Sequence, residues 1–304
     1  MNTSELLQYL LSGVTTGSVY AIVGIGFNII YNTTGIINFA QGEFLMLGGM
    51  ISITLAKLMP LPLAVLAAVL ATGIIGVLIQ LIFLRWLKDP EVLRMIIITI
   101  GLSILVREAA LHVWDDKVRA LPFFSGDETS SLAVLGAHIS PQILWVLGIS
   151  ALLVVGLSLF FRYSLTGKAM RACASNKTAA GLCGINTGSI VTFSFFLAAS
   201  IGALAGCAVS PITQTQYDMG APLAVKGFTC AVLGGLGNST AAVAAGLLIG
   251  VVEAASISVL PLAFKDVVAL GILLAILVFR PDGLFAWKRP ALLSAAGRLK
   301  PDKR

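Results

Sequence analysis

The stretch Arg162 to Asn186, RYSLTGKAMRACASNKTAAGLCGIN, is a polar, basic interlude between two long apolar runs. Its four cations, Arg162, Lys168, Arg171 and Lys177, face no acid within the segment. In a chain that crosses a membrane such a short basic loop stays in the cytoplasm, because Lys and Arg beside membrane helices resist translocation. Lys168 and Arg171 are three residues apart and share a face if the segment is helical. Thr178-Ala-Ala-Gly-Leu-Cys-Gly184 reads as a second short helix stopped by Gly184 in a left-handed cap, with Ile185 placed for the accompanying hydrophobic contact. Two readings of the loop stand. It is a solvated connector, or a knob of small residues around Leu182 and Ile185 shaped for a groove on another protein.

Composition says what surrounds this loop. Of 304 residues, 58% are hydrophobic and 11% charged, against roughly 25% charged in soluble domains. Most of the chain is therefore expected in lipid. The net charge of +6 is not read as a nucleic-acid surface, since the cations gather at loop ends and the C-terminus with no basic stripe of interleaved aromatics. The opening MNTSE lacks Lys and Arg, so the first apolar run is expected to remain as a membrane helix rather than a cleaved signal. The cysteines, Cys173, Cys183, Cys207 and Cys230, have no paired metal spacing and are expected to be reduced thiols, with no metal bound.

About 20 apolar residues span a bilayer as a helix. Candidate runs are Leu6–Ile30, Phe44–Leu58, Leu61–Leu84, Leu93–Trp114, Ile143–Phe161, Ser189–Ile212, Leu223–Leu260 and Val267–Phe279. Leu223–Leu260 is long enough for two passes if it bends at Gly234-Gly235-Leu236-Gly237-Asn238. The expectation is an all-α integral membrane protein with eight or nine membrane segments, including this glycine-broken hairpin. With 162–188 inside, fourteen of the twenty cations fall inside, among them Lys88 and seven from Arg280 to Arg304. Lys57, Lys117, Arg119, Lys226 and Lys265 fall outside. The N-terminus is then outside and the C-terminus inside. Residues 1–288 form one polytopic unit in this reading, and 289–304 a basic cytoplasmic tail.

Ionisable residues inside membranes are expensive and often functional. Glu253 lies in the returning limb of the hairpin with no evident partner. Arg107 and Glu108 lie in the fourth run, and Glu43 is expected at the inner start of the second, after Asn38, Phe39, Ala40, Gln41 and Gly42. Asn38, Gln41, Glu43, Gly234, Gly235, Gly237 and Glu253 are the candidates for a substrate pathway. The bland alternative is an interhelical hydrogen bond or a snorkelling side chain, and for Gly13, Gly17, Gly24, Gly202 and Gly206 simple close packing of helices. Gly167-Lys168 is followed by Ala169, so no phosphate loop of the G-x-x-x-x-G-K-[ST] type is present. No nucleophile and base set is assembled by spacing, and no catalytic residue is expected. The acids Asp115, Asp116, Asp127 and Glu128 make the 115–141 loop a candidate docking rim on the outer side.

Five motifs, in order, resemble one family. They are Ile36-Ile-Asn-Phe-Ala-Gln-Gly-Glu43, Arg162-Tyr-Ser-Leu-Thr-Gly-Lys-Ala-Met-Arg-Ala-Cys-Ala174, Ala179-Ala-Gly-Leu-Cys-Gly-Ile-Asn186, Lys226-Gly-Phe-Thr-Cys-Ala-Val-Leu-Gly-Gly-Leu-Gly237 and Arg280-Pro-Asp-Gly-Leu-Phe285. Over roughly residues 6 to 287 they look like the LivH-type permease subunits of branched-chain amino acid ABC importers. Gln41 stands where that family commonly has His, and Thr240-Ala241 where it commonly has Pro-Gly. The resemblance implies a second permease, two cytoplasmic ABC ATPases that use ATP and Mg, a periplasmic substrate-binding protein and a bacterial inner-membrane location. It makes Lys168, Arg171, Thr178, Ala179, Ala180, Leu182, Gly184 and Ile185 the ATPase-coupling element. A urea or short-amide permease and an ion-coupled secondary transporter are the competing readings; the latter calls for paired intramembrane carboxylates.

Overall fold

The computed structural model describes residues 3–85, 92–126, 130, 132–134, 137–257, 261, 264–280 and 283–284. The 289–304 tail, Lys88, Asp127 and Glu128 lie outside the described residues. The elements are α1 Thr3–Thr34, α2 Gln41–Leu55, α3 Leu61–Ile79 continuing as a π turn to Leu84, α4 Val92–Trp114, α5 Pro141–Tyr163, α6 Leu165–Ser175, α7 Lys177–Leu182, α8 Thr187–Thr213, α9 Gly220–Gly234, α10 Ser239–Ser256 and α11 Lys265–Phe279. Between α4 and α5 a small antiparallel hairpin, β1 Leu132–Val134 with β2 Ala137–Ile139, interrupts the helical pattern.

Among the described residues six helices are long and apolar enough to cross a bilayer: α1, α3 with its π turn, α4, α5, α8 and α10. This makes the chain a multi-pass membrane protein. By contrast α2, α9 and α11 have 15 residues each, about 22 Å of helix against a hydrocarbon core of about 30 Å. Proline sets two of the helix starts. Pro62 and Pro141 sit in the first turns of α3 and α5, where a missing N–H costs nothing.

The bundle is built around α1, which packs most extensively on α10. Val23, Phe27, Ile29 and Ile30 are all at most 1% exposed. A Cβ on Gly17 would lie 2.7 Å from the Gly246 carbonyl oxygen, and one on Gly13 would lie 2.8 Å from Val251 Cα. The two helices therefore touch backbone to backbone, as small residues allow in membrane interiors. The same device seats Gly206 and Gly202 of α8 on Leu45 and Phe44 of α2, and Gly24 of α1 on Cys230 of α9. For these five glycines the packing reading is the one the structure supports.

Two helices start deep inside the bundle. The Gln41 side chain donates to the Ala198 carbonyl at 3.0 Å, and Ala198 is eleven residues into α8, about 16 Å at 1.5 Å per residue. The chain after α1 thus turns back into the bundle before α2 begins. This corrects the placement of Glu43 at the inner edge: it lies near mid-depth, completely buried. Leaving α2 at its other end, Thr54 accepts from Trp114 Nε1 at 2.7 Å, which ties α2 to the far end of α4. At α9 the amino-terminal Gly220 meets Gly42 and Glu43, so the starts of α2 and α9 converge.

The glycine hairpin is present, with its bend at 235–238. Gly235 and Gly237 have φ of 85° and 96°, backbone that only glycine adopts without strain. The bend is held by α1: Gly237 N–H donates to Asn28 Oδ1 at 2.9 Å and Asn32 Nδ2 donates to the Gly237 carbonyl at 3.1 Å. Folding the limbs together also corrects the reading of Glu253 as unpartnered. Lys226 donates to Glu253 Oε1 at 2.7 Å and to Tyr20 at 3.1 Å, and it lies 2.7 Å from Asp266, while Lys265 lies 3.3 Å from Glu253. Lys226, 11% exposed, is therefore held within the bundle.

Removing one partner of a buried ion pair strands the other charge, a loss of about 3–5 kcal/mol in measured cases. Since Lys265 still reaches Glu253, Lys226→Met is expected near the lower end, about 3 kcal/mol. The double variant Lys226→Met with Glu253→Gln should recover part of it. Thermal unfolding of the detergent-purified protein, followed by fluorescence-detected gel filtration, measures both. A double variant no more stable than the single one would contradict the pairing.

Candidate functional site

Three polar caps shape the segment between α5 and α8. Ser164 Oγ accepts from Gly167 N–H at 2.9 Å and starts α6. Asn176 Oδ1 accepts from Ala179 N–H at 2.9 Å and starts α7. Asn186 Oδ1 accepts from Ser189 N–H at 3.1 Å and starts α8. Each satisfies a backbone donor that the first helical turn leaves free, worth about 1 kcal/mol. The carboxyl end of α7 closes equally fully. Ile185 N–H donates to the Ala180 carbonyl at 3.1 Å and Gly184 N–H to that of Gly181 at 3.0 Å, with Gly184 at φ 83°. This is the paired hydrogen-bond pattern of a Schellman cap.

The segment has an inner and an outer face. Met170, Cys173 and Ala180 are buried against the core that includes Phe27 and Ile30, and Ile185 packs beside them. Burial raises the Cys173 thiol pKa, opposed in part by Lys177. On the outer face Lys168, Arg171, Thr178, Ala179 and Gly184 are exposed, and Leu182 is 87% exposed. Of the coupling candidates, then, six are available to a partner, while Ala180 and Ile185 anchor the turn from within. The small residues Ala179, Gly181, Cys183 and Gly184 are exposed with Leu182, whereas Ile185 is not part of that surface, because the Schellman turn carries it toward the core. Sequence reasoning missed Tyr163 and Leu165, 64% and 84% exposed on the same end of the bundle. Their apolar character beside cations was the available signal.

The pathway candidates separate into four places. Asn38 and Gln41 lie where the chain re-enters the bundle. Asn38 Oδ1 accepts from Ala40 N–H at 3.1 Å, and Gln41 spans to α8. Glu43 faces α4 and α9, where its Oε1 accepts from Ser103 Oγ at 2.8 Å. Gly234, Gly235 and Gly237 lie at the α9–α10 bend, packed on Ala242, Gly283 and Asn32. Glu253 belongs to the ion-pair cluster joining α1, α9, α10 and α11.

At Gly184 an added Cβ meets no atom within 4 Å, so substitution there tests backbone conformation alone. Gly184→Val should destabilise the α7 turn by about 1–3 kcal/mol. Gly181→Ala, in the helix and equally unobstructed, should be neutral or slightly stabilising, by about 1 kcal/mol at most. Limited proteolysis of the segment in the purified protein measures both. Equal cleavage rates for Gly184→Val and the parent would contradict the cap.

Comparison with known proteins places this architecture. The chain is 36% identical over 299 residues to the high-affinity branched-chain amino acid transport system permease protein BraD of Pseudomonas aeruginosa, covering 91% of this chain and 95% of that one. It is 33% identical to the corresponding LivH of Salmonella typhimurium and 32% to that of Escherichia coli, each over 91% of this chain and 94% of the relative. The family model described as branched-chain amino acid transport system / permease component matches residues 9–277. The chain belongs to the family of branched-chain amino acid transport permease components.

Proposed function

We propose that this chain is the permease subunit of an ATP-driven importer that carries branched-chain or related hydrophobic amino acids from periplasm to cytoplasm. The observation that carries the reading is the α6–α7 segment. It is capped at the amino ends of α6, α7 and α8 and at the carboxyl end of α7, anchored by Met170, Cys173 and Ala180, and presents Leu182 at 87% exposure among cations. A solvated connector has no need of three caps and a Schellman turn. A surface on which another subunit seats does, since a shape must survive the transmitted load. Residues 162–188 would couple two cytoplasmic ATPases to α5 and α8, and those partners would use the ATP and Mg.

The rest of the arrangement follows in this reading. The N-terminus is outside, the C-terminus with the 289–304 tail is inside, and α2 and α9 bring the six long helices to eight membrane segments, with α11 as a ninth. Residues 1–288 form the membrane unit, in the bacterial inner membrane, with a second permease beside it and a periplasmic binding protein docking outside. Glu253 sits within two lysine contacts. That suits a structural ion pair better than the titrating carboxylates an ion-coupled transporter needs.

Reconstitution in proteoliposomes with its ATPases and binding protein should give ATP-dependent uptake of radiolabelled leucine. Uptake of urea instead, or uptake driven by an ion gradient with the ATPases absent, would overturn the proposal in favour of one of the alternatives.

Orientation is open to a separate test. Cys183 is exposed and Cys173 buried, with its thiol pKa raised by burial, and the thiolate is the reactive form. A membrane-impermeant maleimide should leave intact cells unlabelled and label Cys183, well ahead of Cys173, in inside-out vesicles. Labelling of Cys183 in intact cells would invert the topology.

A further inference from the structure

Around Glu43 the structure collects polar groups that packing does not explain. Glu43 is fully buried, and while Ser103 satisfies one carboxylate oxygen, Oε2 has no hydrogen-bond partner. An unmet buried acceptor is costly, more so for a charged group. Carboxylate and amino-terminal turn meet at α9: a Cβ on Gly220 would lie 2.9 Å from Glu43 Cδ, and α9 has no side-chain cap of its own. Arg107 is one helical turn beyond Ser103 on α4, so the two share a face. Among the described residues Arg107 forms no ion pair within 4 Å, yet it and Asp218 act electrostatically on Glu43.

Depth and exposure then place this group in the bundle. Ser103 is eleven residues from the Trp114 end of α4, about 16 Å, and Arg107 seven, about 10 Å. Ser103 and Arg107 are half-buried and Asp218 is exposed. A guanidinium and a carboxylate at this depth do not face hydrocarbon; such groups line a water-filled path or a subunit contact. Met219 and Tyr217, half-buried, pack on the apolar cluster that includes Phe44, Leu102 and Val106, the chain neighbours of Glu43, Ser103 and Arg107.

We propose that Glu43, Ser103 and Arg107, with the first turn of α9, form a recognition site for a zwitterion near the middle of the membrane. The free Glu43 oxygen takes the ammonium, which brings three donors and no acceptor. Arg107 takes the carboxylate, for which its planar fork is suited. Met219 and Tyr217 lie against the aliphatic side chain. The site thus reads the two charges common to all amino acids, and its place on the uptake route rests on the function proposed above.

The test uses the assembled complex of permeases and ATPases. Leucine uptake in proteoliposomes checks the function; ligand-observed NMR, with the binding protein omitted, measures binding of leucine, 3-methylbutylamine and 4-methylpentanoate. Absence of leucine uptake by the parent complex would sink the functional reading. Given uptake, the parent should bind leucine more tightly than either analogue that lacks one charge. Glu43→Gln and Arg107→Met should each weaken leucine binding by about tenfold or more. In Arg107→Met the amine should lose its disadvantage to leucine, and in Glu43→Gln the acid should. A merely structural contact would not produce this crossed pattern. Parent complex that transports leucine without binding it, or variants that bind it unchanged, would overturn the site. Should Glu43→Gln fail to assemble, Arg107→Met and Ser103→Ala decide: unchanged binding in both overturns the proposal.

Discussion

Backbone contact between α1 and α10 is the constraint on which the rest of the bundle depends. Lipid offers no hydrophobic drive for helices to associate, so close packing of backbones has to supply much of the attraction. Gly13 and Gly17 against Gly246 and Val251 give that contact. With α1 and α10 locked, the short limb α9 has a surface to lie on, and Asn28 and Asn32 at the end of α1 have the Gly237 backbone within reach. The bend between α9 and α10 leaves peptide groups outside any helix. In a membrane these are tolerated only where protein covers and satisfies them, and the two asparagines do so.

The second consequence is that helix starts are brought into the interior. An ordinary membrane helix begins at the interface, where water satisfies its first N–H groups. Here α2 and α9 begin in the bundle, and they converge because Gly42 and Gly220 let their amino-terminal turns touch. Two positive dipole ends in one place favour a negative group between them. Glu43 is that group: it lies in the first turn of α2 and against the first turn of α9. The local electrostatics of the interior therefore follow from where the small residues allow the backbones to meet.

At the end of the bundle where α5 passes into α8, the logic is one of rigidity. Ser164, Asn176 and Asn186 each begin a helix within a few residues of the end of the one before. The chain changes direction with little freedom at each corner. Inward contacts of Met170, Cys173 and Ala180 reach the same core as α1. A displacement of this segment is thereby linked mechanically to the central helix, not only to α5 and α8.

Much of this was legible in order of residues alone. The apolar runs marked the long helices to within a few residues at most ends. The dyad of Gly184 and Ile185 marked a left-handed cap, because αL backbone is local and glycine is nearly its only occupant. Gly234 to Asn238 marked the hairpin for the same local reason. What the sequence could not determine was depth and partnership. Phe39-Ala-Gln-Gly-Glu43 is neither long nor apolar enough to declare that it re-enters the bundle; only the fit of Gly26 and Ala198 around Gln41 puts it there. Glu253 looked solitary and Lys226 looked external, since they are far apart in the chain until the glycine bend folds their limbs together. Local conformation is written in the residues that adopt it, whereas the environment of a buried charge is made by residues elsewhere in the chain, and only the packed tertiary structure brings them to it.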